Sequence, residues 1–165
     1  MGTRNREDTG IRGPQEKLIG YCGLYCGDCS GYKGTIAHLA RDLHRELEQE
    51  RFADLAKSLA KIPFFKALKD FPRCCAVLQT LPKLRCQKAC RGNGGPPFCQ
   101  IRECCREKGF DGCWQCDGSR TCSKLDFLQA GHGDAHRKNL RKIRRSGPAA
   151  FIAGKRHWRT HSRGR

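Results

Sequence analysis

Residues 21–32 read Tyr21-Cys22-Gly23-Leu24-Tyr25-Cys26-Gly27-Asp28-Cys29-Ser30-Gly31-Tyr32. Three thiols stand in a C-x3-C-x2-C array, and Gly23 and Gly27 let the backbone turn tightly enough for them to converge. Three thiolates leave a tetrahedral site one ligand short. The array therefore predicts a partner cysteine from elsewhere in the chain. The same spacing occurs in radical S-adenosylmethionine enzymes, where three thiolates hold a [4Fe–4S] cluster with one open iron. Those enzymes need a β/α barrel of alternating strands. No such alternation is visible here, and Asp28 stands where that family usually has an aromatic residue.

The partner region lies downstream. Cys86 and Cys90 are separated by three residues, and Cys99 and Cys104 flank Gln-Ile-Arg-Glu. Cys113, Cys116 and Cys122 form C-x2-C-x5-C, in which Cys113-Trp-Gln-Cys116 has the spacing of a metal knuckle. Cys22, Cys26, Cys29, Cys86, Cys90, Cys99, Cys104, Cys113, Cys116 and Cys122 are the candidate metal ligands. Thiolate-only sets suit zinc or iron–sulfur. Zinc is the expected metal, with a [4Fe–4S] cluster as the alternative, because the ferredoxin run C-x2-C-x2-C-x3-C-P is absent. Ten thiolates exceed two four-thiolate sites by two, which leaves free thiols or a third or binuclear site open. Cys74, Cys75 and Cys105 read instead as small buried hydrophobes, since adjacent cysteines seldom ligate one ion.

Thirteen cysteines in 165 residues indicate a stapled scaffold. The odd count fits closed disulfide pairing poorly. The chain starts Met-Gly-Thr-Arg-Asn-Arg without an apolar run, and no stretch approaches the roughly 20 apolar residues of a membrane span. A cytoplasmic protein with reduced thiols and no membrane partner is the expectation.

Between the cysteine regions the apolar spacing is helical. Ile36, Leu39, Ala40, Leu43 and Leu47 share one face, with Thr35 as a candidate cap. Phe52, Leu55, Ala56, Leu59 and Ile62 repeat the pattern after a phase shift near Gln49–Arg51, which allows one bent helix or two. Pro63 and Pro72 bracket a short helix, Phe64–Asp70, and Pro82 stops another, Arg73–Leu81. Helices are also predicted over Gln100–Lys108, Ser123–Ala130, Asp134–Arg145 and, with Pro148 in its first turn, Ala149–Trp158. The fold class is mainly α: a small, cysteine-rich, metal-stapled domain with irregular loops, knuckles and few or no strands. The expected organisation is a disordered arm over 1–16 and a metal-binding domain over 17–134 with a helical insert at 35–81. A basic helical segment and tail over 135–165 follows.

The net charge is +17, and the residues from Ala135 onward contain eleven Lys or Arg and no Asp or Glu. Such a block predicts RNA or DNA as a partner, with Arg137, Lys138, Arg141, Lys142, Arg144 and Arg145 as the candidate contacts and a solvated tail as the alternative. Trp158 is expected to pack rather than to stack on a base. His132, His136, His157 and His161 read as solvated, and His38 and His44 as surface residues. No Ser/His/Asp or paired-carboxylate arrangement stands out, so a catalytic role is not expected.

The ordered cysteines resemble a family. To the opening Tyr21–Tyr32 are added Cys86-x3-Cys90-Arg-Gly-x-Gly-Gly, Cys99-x-Ile-Arg-x-Cys104, Glu107-Lys-Gly109 and Cys113-x2-Cys116…Cys122-x-Lys-Leu125. This resembles the prokaryotic domain of unknown function 3795, over roughly Leu18 to Trp158. The resemblance implies metal binding through the same ten cysteines and brings no established activity with it. Cys74, Cys75 and Cys105 lie outside its core pattern. Gly118-Ser-Arg-Thr121 departs from the Phe-Pro that members often carry there. The functional expectation is an uncharacterised cysteine-rich metal-binding protein, a module that contacts nucleic acid or protein. The alternative is an iron–sulfur protein in electron transfer or redox sensing.

Overall fold

The structure is a computed structural model and describes residues 10–160. Those residues form helices and 3-10 turns with no strand; one isolated bridge joins Ile19 and Tyr25. The mainly α expectation holds. The chain divides into two compact units, one made of residues 1–29 and 87–165 and the other of residues 30–86.

The second unit is the helical insert, wider than the 35–81 expected from apolar spacing. It contains α1 (Ser30–Lys33), α2 (Thr35–Gln49), α3 (Phe52–Leu59) and α4 (Phe71–Thr80), with 3-10 turns at Pro63–Asp70 and Leu81–Leu84. The phase shift near Gln49–Arg51 marks a true break: Arg51 adopts φ 50° and separates α2 from α3. Thr35 is the first helical residue rather than the cap, and Gly34 precedes it at φ 74°. Phe52 and Phe71 meet at 5.3 Å between ring centroids. The buried apolar residues here are small: Ala37, Ala40 and Ala56, joined by Leu78. The large members of the expected stripe stay exposed, with Leu39 66% and Leu43 50% accessible. Apolar spacing identified the helix but not the depth of each side chain.

The first unit is built on α5 (Gln100–Glu107), α6 (Gln129–His132) and α7 (Ala135–Ala153). Its core is Ile19, Tyr25, Ile101, Cys105, Trp114, Leu125, Leu140, Ile143 and Phe151. Four of these come from the cysteine loops and their flanks, and three from α7. The segment from Ala135 is therefore not an appended tail. It is the helix on which the cysteine loops are folded. Gly147 breaks α7 at φ 79° and ψ 166°, just before Pro148. Gly23 approaches α7 so closely, at φ 84°, that a Cβ would lie 2.9 Å from Leu140 Cδ2. Asn139, fully buried on α7, donates to the carbonyls of Gly23 (3.0 Å) and His157 (2.8 Å) and accepts from the His157 amide at 3.0 Å. One amide side chain thus ties the first cysteine turn and the C-terminal strap to the same helix.

Of the arm expected over 1–16, residues 1–9 lie outside the described residues. The described remainder is packed: Ile11 lies against the core and its amide donates to Asp111 Oδ2 at 3.1 Å, and Tyr25 donates to Gln15 at 2.6 Å. His161 also lies outside the described residues. His136, expected in solvent, is fully buried, because the tail that carries it is the core helix. Trp158 packs edge-on against His132, with ring centroids 4.8 Å apart. No helix among the described residues is long and apolar enough to cross a membrane.

Candidate metal centre and cationic face

None of the thirteen cysteines is in a disulfide. The 3-10 turn Cys26–Asp28 follows the bend at Gly23, and a second turn starts at Cys90. Their meeting is direct: the Cys90 amide donates to Cys26 Sγ at 3.5 Å, across 64 residues of sequence. A Cβ on Gly20 would lie 3.6 Å from both Cys22 Sγ and Cys90 Cβ, so these two side chains flank one glycine. Burial pushes the Cys22 thiol up to about 12, and the thiols of Cys90, Cys99 and Cys26 add to the rise, while a hydrogen bond with the Leu24 backbone opposes it. Four thiols from both cysteine regions are thus electrostatic neighbours. Such a group resists ionisation unless a cation balances it.

The loop from Cys90 to Cys99 is shaped by Arg102. This side chain is 3% exposed and donates to the carbonyls of Gly94 (2.8 Å), Pro96 (2.7 Å), Pro97 (3.1 Å) and Cys90 (3.4 Å). The glycine- and proline-rich stretch has few amides free to pair with its own carbonyls, so a guanidinium serves as their common donor. Arg91 plays a similar part nearby. It donates to Ile19 O at 3.0 Å and Asp111 O at 2.5 Å and stacks 4.6 Å from the Tyr21 ring centroid. Both arginines belong to the quoted family motifs, but sequence spacing gave them no role; a basic residue inside a Gly/Pro-rich cysteine loop is the signal that marks them.

A second group lines a cavity of about 360 Å³: Cys104, Cys105, Cys113, Cys116 and Cys122, with Lys108 and Lys124 at its edge. The Cys113–Gln115 3-10 turn carries the knuckle, and the Cys113 amide donates to Tyr21 O at 2.9 Å. Cys105 and Cys113 touch, Sγ to Sγ, at 3.7 Å. The Cys105 thiol is pulled down by that contact and by Arg91, Lys108 and Lys124, and the Cys113 thiol is raised by it and by burial. Cys29 ends the first turn, and Cys86 donates its amide to Gly31 O at 3.0 Å within the helical unit. Cys74 is exposed. Among the described residues, no group of three or more His, Cys, Asp or Glu side chains is set to hold a metal ion. The donor chemistry suits zinc or iron–sulfur; the ligand geometry is not assembled.

The six basic candidates on α7 divide by role. Arg137 donates to the carbonyls of Ser119, Arg120 and Cys122 and pairs with Asp126 at 2.7 Å. Arg144 donates to Trp114 O at 2.8 Å, to Cys116 O and to Ser119 Oγ. These two hold the Cys113–Cys122 loop against α7. Lys138 pairs with Asp134 at 3.1 Å and Lys142 donates to Lys155 O at 2.8 Å. Arg141 and Arg145 are exposed and, with Arg120, line a groove of about 740 Å³ that also includes the other four cations and, among the described residues, no carboxylate.

No curated protein matches the chain, and no solved structure matches it. A family model described as "Protein of unknown function (DUF3795)" matches residues 18–127, which include all ten candidate cysteines and stop short of α7. The resemblance expected to reach Trp158 therefore ends before the basic helix, and the chain belongs to this DUF3795 family.

Proposed function

We propose that this chain is a cytoplasmic metal-binding protein whose clustered thiolates hold structural zinc and whose cationic groove contacts RNA or DNA. The observation that supports the metal most is the meeting of Cys22 and Cys26 with Cys90 and Cys99 from the second cysteine region. Evenly spaced core cysteines have no need to gather, whereas a tetrahedral thiolate site requires it. The knuckle Cys113-x2-Cys116 and Cys122, with a thiol from α5, supply a second set of donors. Bound there, zinc would neutralise the thiolates and close loops that have few other ties. Cys29 and Cys86, the residues at which the chain leaves the first unit and ends the insert, remain candidate ligands outside both groups.

Anaerobic purification followed by elemental analysis and an absorption spectrum tests this reading. Colourless protein with zinc near two equivalents per chain is the expected result. Absorption near 400 nm with iron and sulfide would replace it by the iron–sulfur reading. Metal-free protein that keeps its cooperative unfolding would sink both.

A further inference from the structure

Cys105 has a neighbour that a core cysteine does not need. It is 2% exposed and sits within the apolar core, yet its sulfur touches Cys113 Sγ at 3.7 Å, and both residues line the same cavity. A tetrahedral zinc site with Zn–S near 2.3 Å has S···S edges of about 3.8 Å. A disulfide would bring the sulfurs to about 2.05 Å. The observed separation therefore spans one edge of a thiolate tetrahedron, although two thiols in simple contact would stand at a similar distance. The surroundings separate the two cases. The cavity wall carries three further cysteines, Cys104, Cys116 and Cys122, with Lys108 and Lys124 and, among the described residues, no carboxylate.

We infer that Cys105 is a metal-binding thiolate, paired with Cys113 along one edge of a site completed by Cys116 and Cys122. This rests on the thiolate–metal reading above and names a ligand that the family pattern lacks. Cys116 follows Cys113 in one 3-10 turn, its amide donating to Cys113 O at 3.2 Å, which is the knuckle arrangement. Cys122 lines the same cavity as Cys105, Cys113 and Cys116. Closing the site requires the Cys116 and Cys122 sulfurs to turn into the cavity they already line. Cys104 is left out because consecutive residues on α5 diverge by about 100°. Arg144 and Arg137 hold the Cys113–Cys122 loop in place by its carbonyls, so the thiols have a fixed frame. The assignment makes Cys104, rather than Cys105, the spare thiol of this group.

Cadmium-113 loaded into the full chain provides the test. A 113Cd–1H correlation spectrum should link one cadmium resonance to the β protons of Cys105, Cys113, Cys116 and Cys122. In parallel, C105S and C113S should each perturb that same resonance and lower metal content by up to one equivalent, whereas C74S should leave both unchanged. A cadmium coupled to Cys113 but not to Cys105 would overturn the inference while leaving thiolate–metal binding intact. Absence of any cysteine-coupled cadmium would remove the wider reading along with it. A Cys105–Cys113 disulfide in the native protein, seen as the loss of two hydrogens in mass, would also overturn it. The correlation spectrum needs no substitution, so a variant that fails to fold does not block the answer.

Discussion

Asp28 and Arg156 stand 128 residues apart and form a two-pronged ion pair, with Nε 2.8 Å from Oδ2 and Nη2 3.1 Å from Oδ1. The guanidinium also lies 4.7 Å from the Tyr25 ring centroid and donates to Ile152 O at 2.5 Å. Asp28 sits between Cys26 and Cys29, so the pair fastens the first cysteine turn to the strap after α7. Both side chains keep more than a quarter of their surface exposed, at 29% and 26%, which limits the energy. Arg156→Lys keeps the charge and loses the fork. It should cost about 1 kcal/mol, and the coupling in a double-mutant cycle with Asp28→Asn should be about 1 kcal/mol. Urea denaturation at low and high salt checks this. Zero coupling at low salt would mean that the pair only decorates the surface.

His136 gives the fold a specific acid sensitivity. Neither ring nitrogen has a hydrogen-bond partner among the described residues. Burial, with Arg137 and His132 nearby, lowers its pKa from 6.5 to about 4, against the opposing pull of Asp134 and Asp126. The unfolded chain takes up a proton near pH 6.5 that the folded chain refuses until about pH 4. This residue's contribution is therefore full above pH 6.5 and lost as pH falls toward 4, at up to about 1.4 kcal/mol per unit. His136→Leu has similar volume and no titration. Its stability should fall less steeply than that of the parent between pH 6.5 and 5, measured by denaturant unfolding at fixed metal saturation. Parallel curves would refute the assignment.

The helices were legible because spacing reports periodicity. The break at Arg51 shows in the phase of the apolar pattern, and Pro63 and Pro72 open elements as their ring geometry dictates. Depth was not legible. Eleven positive charges made the segment after Ala135 look solvated, but a helix can bury Ala135, His136, Asn139, Leu140 and Ile143 while its arginines reach sideways. Arg137 and Arg144 spend their donors on backbone carbonyls, and nothing in a count of charges distinguishes them from Arg141. Cys105 is buried in the core, as its reading as a small hydrophobe expects. Its contact with Cys113 was not legible from spacing, because the fold of the intervening loop makes it.

Arg102 should be the least replaceable residue of the loop between Cys90 and Cys99. Its acceptors are backbone carbonyls of Cys90, Gly94, Pro96 and Pro97, and a lysine ammonium cannot span all four. Arg102→Lys should cost about 1–2 kcal/mol, and Arg102→Met about 2–3 kcal/mol, because four part-buried carbonyls lose a charged donor. On the metal reading, both variants should also weaken zinc retention against a chelator, since the loop sets the spacing of two candidate ligands. A variant with parental stability and parental zinc release would show that the loop holds its own shape.

The cationic groove separates charges that bind from charges that build. Arg120, Arg141 and Arg145 line it with exposed surface, and Arg120 is carried by the same loop that Arg137 and Arg144 clamp. Charge reversal at the exposed pair, R141E with R145E, should preserve the fold and weaken binding to both RNA and DNA at moderate salt. Each lost phosphate contact should reduce the log–log salt slope by about 0.9 on duplex DNA. Among the described residues no Phe, Tyr or Trp lines the groove, so base stacking should contribute little and affinity should vary little with sequence. Arg144→Glu should behave differently: it removes the donors to the Trp114 and Cys116 carbonyls, lowers thermal stability and releases metal more readily. Fluorescence anisotropy with a short single strand and a duplex, each titrated with salt, reads the first effect, and calorimetry reads the second. Full affinity in the folded R141E/R145E protein would show that the groove is a solvated surface.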